Sequence, residues 1–295
     1  MWNVTNNYNG LVNKYKDTYR EYTKGEELKT IPSTVIGYKN LDLLREHLSH
    51  CSLRRLKSEV LDLPPKTYQI EYVEMGPKQK ALYDEVTAGI AEELNKLPTN
   101  KQLTIMQEIV IHMRQRQVTA WPGILTTEDI PSAKLDRLED LVENITNQGD
   151  KVVVFGTFKS AMLEVSKRLN KYKPLVCTGD NTDAEITKNR DLFNNDPTHK
   201  VMCCTWQKMG TGFTLTAANY IIFIDTPWTD AAFQQTSDRI YRIGQNKNVT
   251  IITLITKDTY DERVQEILDH KEELSKYLVD YKELETITQY SDFDE

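Results

Sequence analysis

Cysteine is scarce in this chain, and none of it is spaced to hold a metal. Cys51, Cys177, Cys203 and Cys204 form no C-x-x-C pair and no zinc pattern, which excludes zinc ribbons and thioredoxin-like redox sites. The last three sit in apolar runs, where a free thiol behaves as a small hydrophobe, and a reducing, cytoplasmic setting is the expectation. Long apolar runs are also missing: none approaches the ~20 residues of a membrane helix. The N-terminus lacks the basic-then-apolar order of a signal peptide. No excess of positive charge exists, the formal net charge being −7. A protein living by non-specific nucleic-acid binding would be basic, so any such contact must come from local patches. The chain also lacks the run G-x-x-x-x-G-K-[ST] and any strand ending in Asp-Glu-x-His, which excludes a self-contained P-loop site for phosphates and magnesium.

What remains is an ordinary folded composition, with 39% hydrophobic and 27% charged residues over 295 positions. Residues 1–30 are polar and tyrosine-rich. Leu11, Tyr15, Tyr19 and Tyr22 lie close to helical spacing, so a surface helix is expected. Asn40 can cap a helix to about Cys51. The basic run Arg54-Arg55-Leu56-Lys57 then leads to Pro64-Pro65, which stops any helix. Residues 67–75 alternate and predict a short extended segment. Pro77 opens a strong helix to about residue 97. A second helix spans about 100–118, with Leu103, Met106, Ile109, Val110 and Met113 on its face and Arg114 and Arg116 near its end. Those two arginines suit either the helix dipole or DNA.

From about residue 132 the character changes, with helices and short apolar strands in alternation. Ser132 is placed to cap the first helix. Strands are expected at 151–155, 174–178, 201–204, 220–225 and 249–255, with a helix starting at Thr182 or Asp183. That pattern predicts a doubly wound α/β domain, a parallel sheet covered on both faces. Ligands of such sheets bind beyond the carboxyl ends of the strands.

The stretch around which the chain is organised runs from Asp225 to Gln245. It reads as a buried strand ending in a carboxylate, a turn, and one helix ended by Gly244. Gln235, Arg239 and Arg242 then fall at i, i+4 and i+7 on one stripe, while Ile240 and Ile243 dock another face. A stripe with two guanidiniums suits two uses: a solvated or phosphate-anchoring face, or a pair of fingers on a nucleotide, since guanidinium grips phosphate oxygens in a planar fork.

The run Gln235-x-x-x-Arg239-x-x-Arg242-x-Gly244-Gln245 resembles motif VI of superfamily II helicases, and its Arg-Ile-Gly-Gln ending resembles the SWI/SNF-type DNA translocases. Phe155-Gly156-Thr157-Phe158 resembles motif IV, Thr178-Gly179-Asp180 the motif after it, and Thr205 to Ala218 motif V. The chain departs from the family at Thr229-Asp230, Met209 and Thr214. The resemblance implies a RecA-like second lobe at 131–258. Before it come a helical first-lobe tail and junction (1–66) and a helical protrusion (67–130); after it come a bracing helix and acidic tail (259–295). It implies catalytic arginines at Arg239 and Arg242. Cofactor contacts fall at Gln235, Gly210, Gly212 and Asp238, and DNA contacts at Thr157, Phe158, Gly179, Thr205 and Lys208. It implies ATP in a shared site, Mg2+ held by another lobe, and double-stranded DNA and a P-loop lobe as partners, with no membrane. The alternative is a non-catalytic DNA- or protein-binding module built on a degenerate lobe. On the motor reading, the P-loop half is a split-gene partner or a missing part of the same chain, of bacterial or phage origin.

Overall fold

The computed structural model describes residues 16–19, 34–38, 63–95, 101–206, 214–227, 230–266 and 268–269. The chain divides into two compact units, residues 1–60 with 271–295, and residues 61–270. In the first, strand β1 (Lys16–Tyr19) pairs antiparallel with β2 (Thr34–Tyr38). The helix expected from the tyrosine spacing is therefore corrected to a strand. Thr18 and Tyr19 favour a pleated surface, and the β-branched run Thr34-Val-Ile supplies the partner. The expected helix from Asn40 and the basic run at Arg54 lie outside the described residues.

The second unit is built on six strands: β3 (Lys66–Val73), β4 (Val152–Gly156), β5 (Leu175–Cys177), β6 (Val201–Thr205), β7 (Tyr220–Phe223) and β8 (Val249–Thr256). They lie in the order β3-β8-β7-β4-β6-β5, and every pairing is parallel. The extended segment expected near 67–75 is the edge strand β3 of this sheet. Helix α1 (Pro77–Asn95) begins at its proline as expected, and α2 (Lys101–Ala120) follows. Of the apolar face expected on α2, Val110 and Met113 are exposed. Further helices are α3 (Ala133–Asn147), α4 (Lys159–Arg168), α5 (Asp183–Asn195) and α6 (Asp230–Ser237), and residues 260–266 are helical as well.

Alternate residues of each strand face opposite sides, and two separate cores result. Val152, Val154, Cys203 and Ile222 meet Leu135, Leu138 and Val142 of α3 and Met162 and Val165 of α4. Val153, Phe155, Cys204, Ile221 and Phe223 meet Ile186 and Phe193 of α5, Phe233 of α6, and Ile240. The placement follows from crossover handedness. The β4-to-β5 connection through α4 runs one way along the sheet, and those through α5 and α6 run the other, so right-handed crossovers put them on opposite faces. Cys177, Cys203 and Cys204 are buried, and burial pushes the Cys203 thiol up to about 12, as suits inert core thiols.

Two caps differ in outcome. Thr182 forms a full capping box with Glu185. Ser132 stands at the start of α3 but makes no cap bond; its hydroxyl donates to the carbonyl of Ala120 at 3.3 Å. No helix among the described residues is long and apolar enough to cross a membrane.

Candidate functional site

Because all strands are parallel, their carboxyl ends form one rim. Asp225, after β7, is 2% exposed. Its two carboxylate oxygens accept the backbone amide of Thr157 at 2.9 and 3.0 Å, and the Thr157 hydroxyl donates to it as well. Trp206, after β6, donates its indole N–H to that hydroxyl at 3.0 Å. A Cβ at Gly156 would lie 2.6 Å from the flexible end of Met162 and an ordinary 3.6 Å from Asp225 Oδ2, so it is the packing of Met162, not the approach of Asp225, that the glycine eases. Arg116 from α2 completes the cluster, 3.6 Å from Asp225 and 2.5 Å from the carbonyl of Thr226. It is 1% exposed, so neither reading offered for it from sequence stands. A buried charge needs a buried partner, and Asp225 is that partner. Arg114 is exposed and bonds to Gln117.

A second buried pair braces the same rim. Lys134 of α3 is 2.6 Å from Asp261 and donates to the carbonyl of Ile224 at 2.7 Å. Thr119 donates to the same carboxylate at 3.2 Å and the amide of Thr256 at 3.3 Å. Sequence reasoning missed Lys134 and Asp261 as a pair. The signal was there: Lys134 lies one turn before Leu138, on the stripe that α3 buries.

The arginine stripe is where the structure departs most from expectation. Helix α6 ends at Ser237, not at Gly244, so Arg239 and Arg242 lie on successive turns and not on one helical face with Gln235. The hydroxyls of Thr236 and Ser237 donate back to the carbonyls of Ala232 (2.7 Å) and Phe233 (2.8 Å), a pattern that loosens helices. The amide of Arg239 then bonds to Thr236, three residues back, and that of Arg242 to Ile240, two back. Ile240 is fully buried, as expected, whereas Ile243 is 70% exposed and docks on no core. Gly244 does take the left-handed conformation, at φ 99°, but as a turn residue.

The loop before β7 holds these turns in place. The amide of Leu215 donates to the carbonyl of Arg239 at 2.9 Å, and Arg242 Nη1 donates to Thr214 Oγ1 at 3.4 Å. Asn194 of α5 donates to the carbonyl of Thr214 at 2.9 Å. Gln245, only 5% exposed, fastens the whole. Its Nε2 donates to the carbonyls of Thr216 (3.3 Å), Ala218 (2.7 Å) and Ile240 (3.4 Å), and its Oε1 accepts the amide of Lys247 at 2.9 Å. Gln245 thus serves as a lock, a role the sequence did not disclose.

The remaining expected site residues separate. Gln235 and Arg242 are exposed; Arg239 and Asp238 are half-buried. Gly179 is exposed beside Asp180, which pairs with Lys159 across the rim. Thr205 is buried, and Phe158 packs its ring against the core under α3 and α4; Thr157 spends its hydroxyl on Asp225 and Trp206. Lys208, Gly210 and Gly212 lie outside the described residues. Among the described residues no three His, Cys, Asp or Glu come together to hold a metal.

A parallel sheet wound on both faces, with an arginine-bearing turn locked to the segment leading into β7, defines a RecA-like lobe. Comparison with known proteins agrees. The family model for the helicase conserved C-terminal domain matches residues 133–244, and that for the SNF2-related domain matches residues 11–124. An uncharacterised ATP-dependent helicase of Mycoplasma pneumoniae is 29% identical over 250 residues, 82% of this chain and 24% of that protein. A putative ATP-dependent helicase/translocase, YwqA of Bacillus subtilis, is 24% identical over 82% of this chain and 27% of its own length. The SWI2/SNF2 ATPase core of Sulfolobus solfataricus in complex with double-stranded DNA superposes with a TM-score of 0.61 at 26% identity, covering 79% of this chain and 50% of that one. The C-terminal part of the Fun30 ATPase domain shares the fold, with a TM-score of 0.58 at 22% identity, over 69% of this chain and 89% of that one. The chain is thus similar to the SWI/SNF-type helicases, and its second unit shares the fold of their C-terminal ATPase lobe. It spans about a quarter of the length of the curated relatives it matches.

Proposed function

We propose that this chain is the second motor lobe of an ATP-dependent duplex-DNA translocase, and that it completes a nucleotide site whose P-loop half lies on another lobe. The observation that carries this reading is the exposed Arg242, on a turn that Gln245 locks to the segment leading into β7. The residues suit one half of a nucleotide site. They offer cationic forks for phosphate oxygens, and the sequence holds no P-loop. When bound, ATP supplies the phosphoryl bond whose hydrolysis drives the motor. Arg242 reaches the anion from this turn, and the half-buried Arg239 adds a second positive charge. Gln235 and Asp238 flank them. Magnesium is assigned to the P-loop lobe.

On the DNA side, the exposed backbone at Gly179 and the side chain of Lys208 are the contacts we retain as direct. Thr205 is left its backbone alone, because its side chain is buried. Thr157 and Phe158 act as positioning residues for the β4 end. Residues 1–66 and 67–130 serve as junction and protrusion, with β3 contributed to the lobe's own sheet.

The test is DNA-stimulated ATPase of the chain combined with its P-loop lobe, wild type against Arg242→Ala. Arginine fingers contribute about 10³ to 10⁵ in rate in other phosphoryl-transfer systems, so turnover should collapse while the fold persists. Near-normal turnover in the variant sinks the finger assignment. Absence of any DNA-stimulated turnover in the wild-type combination favours a regulatory binding module instead.

A further inference from the structure

Strand β3 is an edge strand with an unusual profile. All eight of its residues are in register with β8, from Lys66 opposite Val249 to Val73 opposite Thr256, and among the described residues nothing pairs with its other side. Edge strands are normally blunted by central lysines, prolines, bulges or short length, because an open row of backbone groups recruits other strands. Here the prolines and the lysine stand only at the start, at Pro64, Pro65 and Lys66. The centre, Tyr68-Gln-Ile-Glu-Tyr72, has no lysine, proline or bulge, and its one charge, Glu71, is paired with Arg137 of α3 at 2.9 Å. It leaves Tyr68, Ile70 and Tyr72 exposed at 48%, 43% and 52% on one face.

The sequence of this edge is self-complementary. We propose that two copies of the chain pair antiparallel through β3, about a twofold axis at Ile70 and normal to the sheet. Such an axis keeps each face of the sheet on its own side. Ile70 then meets Ile70 of the second copy, Tyr68 meets Tyr72, and Gln69 meets Glu71, an amide donor facing a carboxylate. Thr67 meets Val73, and Lys66 meets Glu74, opposite charges at both ends of the ladder. Ile70 meets its own copy once, on the axis, and each of the other contacts occurs twice, as an isologous interface requires. Aromatic, β-branched and opposite-charge cross-strand pairs are the combinations that stabilise sheets. Glu74 also holds Lys257 at 2.6 Å on the surface; exposed pairs of this kind are weak, so its carboxylate is available to be shared.

Sedimentation of the full chain over micromolar concentrations tests this, with circular dichroism to check each variant's fold. The wild type should move from one to two copies as concentration rises. Ile70→Lys places two ammonium groups on the axis and should leave only monomer. Gln69 is exposed, so its substitutions spare the fold and carry the sign of the effect. Gln69→Glu faces Glu71 of the other copy and should weaken dimerisation about two- to thirtyfold, with two such pairs per dimer. Gln69→Lys faces the same carboxylate and should strengthen it. A wild-type monomer throughout the range, a dimer indifferent to these changes, or the reverse order at position 69 overturns the proposal.

Discussion

Helices α5 and α6 pack on the same face of one sheet, yet they are held by different means. Helix α5 is governed locally. Thr182 and Glu185 close a capping box at its start, and it ends where Asp196 turns extended, at φ −97° and ψ 115°. Helix α6 lasts eight residues, and after Ser237 the chain continues in turns. Those turns are fixed from outside, by Ile240 in the core, by Leu215 on the carbonyl of Arg239, and by Gln245 on the loop before β7. The difference teaches where function costs regularity. A continued helix would keep Arg239 and Arg242 on its own ladder. The broken one ties the carbonyl of Arg239, and the side chain of Arg242, to the loop before β7.

Four substitutions break or sharpen this contrast. The largest effect belongs to Ile240→Ala, which empties a fully buried site and should cost about 2–5 kcal/mol, read from urea unfolding. If the turn were anchored only by its hydrogen bonds, the loss would fall well below that range. Next is Gln245→Ala, which strips the carbonyls of Thr216 and Ala218 of their shared donor. It should cost about 1–3 kcal/mol and speed hydrogen exchange over 214–245, with α5 unchanged. Equal acceleration in α5 would mean that the lock serves the whole lobe and not the arginine turn.

Thr182→Ala tests the local side of the contrast and should cost about 1 kcal/mol. The amide of Thr182 holds the Glu185 carboxyl below the usual carboxylate range. A folded pKa so lowered makes the box's contribution present at neutral pH and lost as pH falls through that lowered value. Thr182→Ala keeps that amide and removes only the hydroxyl's share, so it should reduce, not abolish, the acid limb of α5 stability, which pH-dependent hydrogen exchange would detect. Complete loss of the acid limb would assign it to the hydroxyl, not to the amide. Smallest in stability is Arg242→Ala: its side chain is exposed with one long bond to Thr214, so the change should stay within about 0.5 kcal/mol. A larger loss would show that Arg242 is structural.

Much of the fold was legible because the relevant signals are local or periodic. The runs 151–155, 201–204 and 220–225 are apolar without alternation, as strands buried on both faces must be. Pro77 and Thr182 mark helix starts by their own chemistry. The end of α6 was not legible, because Gly244 is a stop signal that the chain reaches only after Thr236 and Ser237 have already loosened the ladder. Arg116 was unreadable for a different reason: its partner Asp225 is more than a hundred positions away, and a helix-terminal arginine reads the same whether it meets solvent, DNA or a buried carboxylate. Tyr19 misled because aromatic spacing alone, without a continuous apolar stripe, does not separate helix from strand.

The sequence by itself determined the class of fold, the strand order's raw material and the family motifs, since hydrophobic period and residue type act over a few positions. The tertiary structure alone decided which polar residues are buried as pairs, where the arginine helix breaks, and that Gln245 holds the site together. Those outcomes depend on which distant groups arrive within hydrogen-bond reach, and only packing the sheet brings them there.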